Sequence, residues 1–96
     1  MTTSHTVASQ EDPVLKLMLG IVQSLVDDEQ SVRITCVAEE TLTTLNVHVA
    51  PSDTGKLIGK QGRTARSLRT VLSAAGMKFH HRYALNIEEE DRRMRE

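Results

Sequence analysis

The first strongly patterned stretch of the chain repeats its hydrophobic residues with the period of an α-helix. Asp12 and Pro13 suit the N-cap and the first position of such a helix. Apolar residues then recur three and four positions apart and form one stripe: Val14, Leu15, Met18, Ile21, Val22, Leu25 and Val26. The pattern predicts an amphipathic helix that ends at Asp27-Asp28, preceded by a disordered tail over residues 1–11.

From Ser31 onward the hydrophobic period shortens to two, which is typical of β-strands. The apolar positions of two alternating runs are Val32, Ile34 and Cys36, then Leu45, Val47 and Val49. Because a short polar turn at Glu39-Glu40 joins them, they predict an antiparallel hairpin. A third alternating run from Phe79 to Ile87 predicts another strand, and residues 89–96 form a charged tail without an apolar face.

Two further helices are predicted between the second and third strands. Pro51-Ser52-Asp53 offers caps for a short helical turn, and a longer helix begins after Gly62. The apolar face of the longer helix carries Ala65, Leu68, Leu72 and Ala75, and Gly76 is its predicted C-terminal cap. This element order predicts one α+β domain over residues 12–88, in which a three-stranded sheet carries its helices on one face.

Positive charge is concentrated in one third of the chain. The formal net charge of the whole protein is −1, but residues 51–82 carry +6 and the remainder therefore carries −7. A local basic region attracts polyanions to one face of a protein, while the acidic remainder limits indiscriminate binding.

The composition argues against several kinds of site. A single cysteine, Cys36, excludes an internal disulfide and a Cys-based zinc site, and we interpret it as a small core residue. His80 and His81 would point to opposite faces of a strand, so they cannot chelate one metal together. The Gly-Lys pairs lack the spacing of a nucleotide-binding P-loop, and no nucleophile–base pair is evident. We therefore expect no enzyme, no metal and no cofactor.

The sequence also bears on where the protein acts. We find no signal peptide and no apolar run long enough to span a membrane. These features predict a soluble, cytoplasmic protein that does not associate with membranes.

The turn at Gly59-Lys60-Gln61-Gly62 is the candidate binding site. Glycines permit a tight turn and a close approach of the backbone, and the following helix N-terminus favours negative charge. Cations in the first turn of a helix are slightly unfavourable, so Arg63 and Arg66 suit a place where an anion also binds. These features point to a nucleic-acid backbone, and the candidate binding residues are Lys56, Ile58, Gly59, Lys60, Gln61, Gly62, Arg63 and Arg66.

The run from Gly59 to Gly76, which reads GKQGRTARSLRTVLSAAG, resembles the small bacterial single-KH proteins of the KhpA family. The order α-β-β-α-α-β is similar to that of a type II (prokaryotic) KH domain, and the resemblance covers residues 12–88. It implies that the Gly-x-x-Gly loop clamps the backbone of about four nucleotides of single-stranded RNA. It also implies a global RNA-binding or chaperone-like role linked to cell division and envelope growth. As partner it implies a second copy, or a larger KH-containing protein. The segment 77–81 is less basic than this family's pattern.

Several interpretations of the basic turn stay open. It could hold single-stranded RNA or single-stranded DNA, or the KH fold could mainly dimerise, with RNA binding secondary. A plain helix corner with a solvated basic face is a fourth possibility. With one Phe, one Tyr and no Trp, stacking of bases on aromatic platforms is not expected. Tyr83 and Leu57 are interpreted as core residues, whereas Ile58 could belong to the core or to an apolar groove.

Overall fold

The computed structural model describes residues 12–88 and the backbone of a short strand near the N-terminus. Its helices and strands follow the predicted α-β-β-α-α-β order after that first strand. They are β1 (Thr3–His5), α1 (Pro13–Leu25), β2 (Arg33–Ala38), β3 (Leu42–His48), α2 (Thr54–Ile58), α3 (Arg63–Lys78) and β4 (Arg82–Ile87). The predicted α+β class is confirmed.

The strands form one mixed sheet in the order β1-β2-β3-β4. β2 and β3 pair antiparallel as the predicted hairpin, whereas β3 and β4 are parallel. A parallel pair needs a long crossover connection, and α2 with α3 supplies it. Leu45 of β3 lies opposite Cys36 on one side and Leu85 on the other, so the three side chains share one face of the sheet.

β1 is a strand that the sequence pattern did not predict. Thr3–His5 pairs antiparallel with β2 at the sheet edge, with His5 opposite Cys36. The segment lies within the predicted disordered tail. Main-chain pairing at a sheet edge does not require alternating apolar residues, so the sequence of this strand carries no such pattern. The rest of the tail over residues 1–11 and the charged tail over 89–96 lie outside the described residues.

The core lies between one face of the sheet and the three helices. Its buried side chains are Val14, Leu15, Met18, Val22, Val26, Val32, Ile34, Cys36, Leu45, Val47, Leu57, Ala65, Leu68, Leu72, Leu85 and Ile87. Leu25, predicted as part of the apolar stripe, is 39% exposed. α1 ends at Leu25 and the extended backbone of Val26 directs that next side chain into the core instead.

The start of α1 has the predicted cap. The Asp12 side chain accepts hydrogen bonds from the backbone N–H of Val14 at 2.9 Å and of Leu15 at 3.4 Å, and Pro13 is the first helical residue. These bonds satisfy two of the N–H groups that a helix leaves without intrahelical partners. The Asp12 prediction is confirmed.

The end of α3 differs from the prediction. The helix continues past Gly76 to Lys78, and a positive φ of 55° at His80 makes the turn into β4. Gly76 is needed there for another reason. A Cβ at this position would lie 2.5 Å from the carbonyl oxygen of His81 and 2.9 Å from the Tyr83 ring. Because the returning chain crosses α3 so closely, Gly76 is a packing glycine rather than a helix cap.

Candidate nucleic-acid interface

The four residues 59–62, called the GxxG loop below, form a tight turn between α2 and α3. The Gly59 N–H donates to the Gly55 carbonyl at 2.8 Å, and the Gly62 N–H donates to the Gly59 carbonyl at 3.2 Å. Gly59, Gln61 and Gly62 all have positive φ, at 77°, 56° and 74°. Three residues with positive φ within four positions make the loop compact. The side chains at its tip, Lys60 and Gln61, are exposed.

The two glycines of the loop are required for different reasons. Gly59 has φ 77° and ψ 175°, a region adopted almost only by glycine. A Cβ there would also lie 2.8 Å from the backbone nitrogen of Thr64. Gly62 has left-handed helical angles, and a Cβ there would meet only the Arg66 guanidinium at 3.7 Å. Gly59 therefore meets both a conformational and a steric requirement, whereas Gly62 meets only the conformational one.

The predicted arginines lie beside the loop at the start of α3. Arg63 and Arg66 are both exposed, and the Arg66 Nη2 donates to the Gln61 carbonyl at 2.8 Å. A guanidinium has five N–H donors, so this bond braces the loop and leaves donors for a ligand. Both arginines border a shallow open surface together with Ser67 and Thr70. The structure thus brings together the loop, Arg63 and Arg66.

The apolar pair before the loop divides between core and surface. Leu57 is completely buried, which confirms its interpretation as a core residue. Ile58 packs against the same core but is only half-buried. Part of the Ile58 side chain is therefore accessible next to the loop.

Lys56, the remaining candidate, is in ionic contact with two carboxylates. Its Nζ lies 3.2 Å from Asp53 Oδ1 and 3.4 Å from Asp27 Oδ2. The hydrogen bond to Asp53, followed by that to Asp27, raises the pKa of Lys56 above its ordinary value. The positive charge of Lys56 is thus partly compensated within the protein, and its contact with RNA stays a prediction.

Asp53 is a buried charge that the sequence pattern did not identify as such. Only 1% of the residue is exposed, and its two carboxylate oxygens accept the backbone N–H groups of Asp27 at 3.3 Å and Asp28 at 3.0 Å. The bond from the Asp28 N–H is the largest cause that lowers the pKa of Asp53, although burial opposes it. Of the predicted caps Pro51-Ser52-Asp53, Asp53 stands at the N-cap position of α2, but its side chain makes no capping bond and instead bonds to a segment 25 and 26 residues earlier.

His81 and Cys36 have structural surroundings rather than a place in the candidate site. His81 Nε2 lies 2.7 Å from Thr43 Oγ1, and its ring meets Tyr83 edge to face. Cys36 is buried, and this burial raises the pKa of its thiol, as befits a core residue. Within residues 12–88, no group of three or more His, Cys, Asp or Glu side chains is placed to hold a metal ion.

In the part of the chain that the structure describes, every helix is too short or too polar to cross a membrane.

The glycine loop between two helices, inserted before the parallel strand β4, agrees with the comparison to known families. The family described as "KhpA/KhpB, KH domain" matches residues 16–87. The chain belongs to this family. The family is defined by a KH domain and not by an enzymatic reaction.

Proteins named "RNA-binding protein KhpA" are among the relatives. The protein of Treponema pallidum is 46% identical over 72 residues, which cover 75% of this chain and 90% of the relative. That of Aquifex aeolicus is 45% identical over 67 residues, covering 70% and 85%. That of Borreliella burgdorferi is 42% identical over 73 residues, covering 76% and 89%. No solved structure matches the chain.

Proposed function

We propose that this protein binds single-stranded RNA and that the GxxG loop with the first turns of α3 holds the RNA backbone. The observation that carries the proposal is the convergence at one corner of two positive-φ glycines, an exposed lysine and two exposed arginines. The name of the relatives, which describes RNA binding, supports the same substrate class.

Binding of the phosphates requires close approach and positive charge together. The glycines keep side chains away from the turn, so a phosphate can approach the backbone and the N-terminus of α3. Lys60, Arg63 and Arg66 then neutralise the phosphates. Each neutralised phosphate contributes about −0.7 to the slope of log affinity against log salt for a single strand. Three such contacts give a slope of about −2.

Recognition of the bases follows from the shortage of aromatic residues. Tyr83 is half-buried against the core, and Phe79 lies beyond the end of α3. Bases are therefore held by aliphatic contact with Ile58 and by hydrogen bonds, without aromatic stacking. Low base selectivity and modest affinity follow, because stacking on an aromatic ring contributes about 1–3 kcal/mol per base in other single-strand binders.

Self-association is a second candidate function, and exposed apolar side chains favour it. Val71 is 42% exposed, Met77 74% and Phe79 43%, all at or near the C-terminal half of α3 and away from the loop. A surface of this kind could pair with a second copy or with a larger KH-containing protein. Joining two weak RNA sites in one dimer would raise the overall affinity.

A cytoplasmic location, a chaperone-like activity and a link to cell division and envelope growth are implied by the family resemblance and stay predictions. Single-stranded DNA remains a competing ligand, because discrimination depends on contacts with the 2′-hydroxyl group.

The experiment that tests RNA binding changes only the tip of the loop. The double variant Lys60→Asp plus Gln61→Asp removes one positive charge and adds two negative charges where the phosphates are expected, a net change of −3. Both side chains are exposed, and aspartate tolerates the positive φ at position 61. Lys16→Glu plus Gln30→Glu is the matched control, since it makes the same charge change at two exposed positions outside the loop.

Fluorescence anisotropy with a labelled single-stranded RNA compares the three proteins after circular dichroism has shown that each is folded. We expect the loop variant to lose binding and the control to keep most of it. Equal binding by the loop variant and the wild type would overturn the proposal. If the loop variant and the control lose RNA binding equally, the loss reflects the net charge of the protein and not a contact at the loop.

A further inference from the structure

The helix that leads into the GxxG loop is too short to hold itself in place. α2 has five residues, and isolated helices of this length do not form in water because helix nucleation is unfavourable. Its position must therefore be set by tertiary contacts. The described contacts of this kind are the buried Leu57 side chain, the half-buried Ile58 side chain and the polar group around Asp53.

Asp53 connects the start of α2 to the segment after α1. Its two oxygens accept one backbone N–H each, from Asp27 and Asp28, so the carboxylate spans two successive peptide groups. Lys56, one helical turn later, contacts both Asp53 and Asp27. The first turn of α2 is thereby tied at two points to a segment more than 20 residues earlier in the chain.

The remaining turn of α2 transmits this position to the loop. The Gly55 carbonyl, two residues after Asp53, accepts the Gly59 N–H at 2.8 Å, and the Gly59 carbonyl accepts the Gly62 N–H at 3.2 Å. Two successive backbone bonds thus join Gly55, two residues after Asp53 along the chain, to the GxxG loop. Loss of the anchor at Asp53 leaves the loop attached to a helix that is unstable alone.

We propose that Asp53 is a positioning residue for RNA binding, which holds α2 and through it the GxxG loop in the geometry that binds RNA. The inference rests on the proposed function of the loop. Asp53 does not contact the RNA itself, because only 1% of the residue is exposed. Its role is to keep most molecules in the loop conformation that binds RNA.

The sign of the effect separates positioning from simple electrostatics. Asp53 is a negative charge near a site for a polyanion, so its removal should strengthen RNA binding if charge alone mattered. In Asp53→Asn, one oxygen becomes an NH₂ group, which faces a backbone N–H as donor against donor. The anchor then loses one bond and α2 is less well held. Positioning therefore requires that the neutral variant bind RNA more weakly.

The test compares Asp53→Asn with Glu29→Gln, which removes the same charge from an exposed position in the segment that Asp53 contacts. Each protein is titrated with the same fluorescein-labelled single-stranded RNA. If the competent fraction of loops falls to about one tenth, the apparent Kd rises about tenfold. We expect this rise for Asp53→Asn and little change for Glu29→Gln.

Amide hydrogen exchange measures the loop independently of RNA. We expect the Gly59 and Gly62 amides to exchange faster in Asp53→Asn, while the Leu45 amide in the central strand β3 stays protected. Binding as tight as wild type would overturn the proposal, as would unchanged exchange at the two glycines. If the wild type fails to bind RNA, the proposed function fails, and the exchange rates still show whether Asp53 positions the loop.

A second variant serves if Asp53→Asn does not fold. Lys56→Gln removes the other half of the anchor at an exposed side chain. We expect faster exchange at Gly59 and weaker RNA binding with an unchanged salt slope. A slope reduced by about 0.7 would make Lys56 a phosphate contact and would overturn its assignment to the anchor.

Discussion

The two glycines of the GxxG loop offer a matched pair of substitutions with different expected costs. The backbone at position 59 has φ 77° and ψ 175°, angles that almost only glycine adopts. Placing the alanine of Gly59→Ala at these angles costs about 1–3 kcal/mol. The new Cβ would also lie 2.8 Å from the Thr64 nitrogen and the Thr64 Cβ. Relief of such overlap by local shifts costs about 1–3 kcal/mol more. We expect a total loss of about 2–6 kcal/mol in the free energy of unfolding.

Gly62→Ala should cost much less. The left-handed helical angles there cost a non-glycine residue about 1–2 kcal/mol, and the Cβ would meet Arg66 Nη2 at an ordinary 3.7 Å. Gln61 already carries a side chain in the same region. We therefore expect a loss near the lower limit, about 1 kcal/mol.

Urea unfolding followed by far-ultraviolet circular dichroism measures both costs. A domain of this size is stable by about 5–14 kcal/mol, so Gly59→Ala should lose a large part of that stability and Gly62→Ala a small part. Adding Thr64→Ala to Gly59→Ala should give little rescue, because the Thr64 backbone nitrogen still opposes the new Cβ. Equal costs for the two glycines, or full rescue by Thr64→Ala, would refute this reasoning.

Three further outcomes follow from burial and charge. Leu72→Ala should lower the free energy of unfolding in urea by about 2–5 kcal/mol, because Leu72 is only 1% exposed. Val71→Ala should lower it by less than about 0.5 kcal/mol, because Val71 is 42% exposed. Similar costs for the two variants would contradict the described core. The lowered pKa of Asp53 means that its contribution to stability is complete above the unfolded value of about 3.9 and is lost as the pH falls through the folded value. The urea midpoint of the wild type should therefore fall more on acidification below about pH 4 than that of Asp53→Asn, and parallel pH curves would contradict this. Burial raises the pKa of Cys36, so an aromatic disulfide reagent should react slowly with the native protein and rapidly in urea; equal rates would place the thiol at the surface.

The parts of the fold that the sequence predicts well depend on short-range signals. The Asp12 cap, the hairpin and the six-element order follow from residues within a few positions of one another. Where the decisive contact is made by a different element of the folded chain, the pattern gave the wrong interpretation. Gly76 resembles a helix cap locally, but the returning chain at His81 determines its role. The strand Thr3–His5 pairs through its backbone and has no side-chain pattern.

The glycines in the sequence indicate where the candidate site lies. The sequence does not indicate which groups the charged side chains of the site contact. The sequence places Lys56 and Arg66 on the same basic segment. The structure joins Lys56 to two carboxylates and Arg66 to the carbonyl of Gln61. Asp53 is adjacent to a proline turn, which suggests a local cap, and only the folded chain brings it to Asp27 and Asp28. The partner of each charge is a tertiary property that spacing alone does not contain.

The central claim, that the GxxG loop and the start of α3 hold RNA, is tested most directly by mapping amide chemical shifts. Single-stranded RNA is added to ¹⁵N-labelled wild-type protein and each assigned amide is followed by NMR. The account predicts that the largest changes fall on residues 59–66 and diminish toward the C-terminal half of α3. Changes concentrated on residues 71–78, with the loop unaffected, would contradict it and would place the RNA on the exposed apolar surface instead.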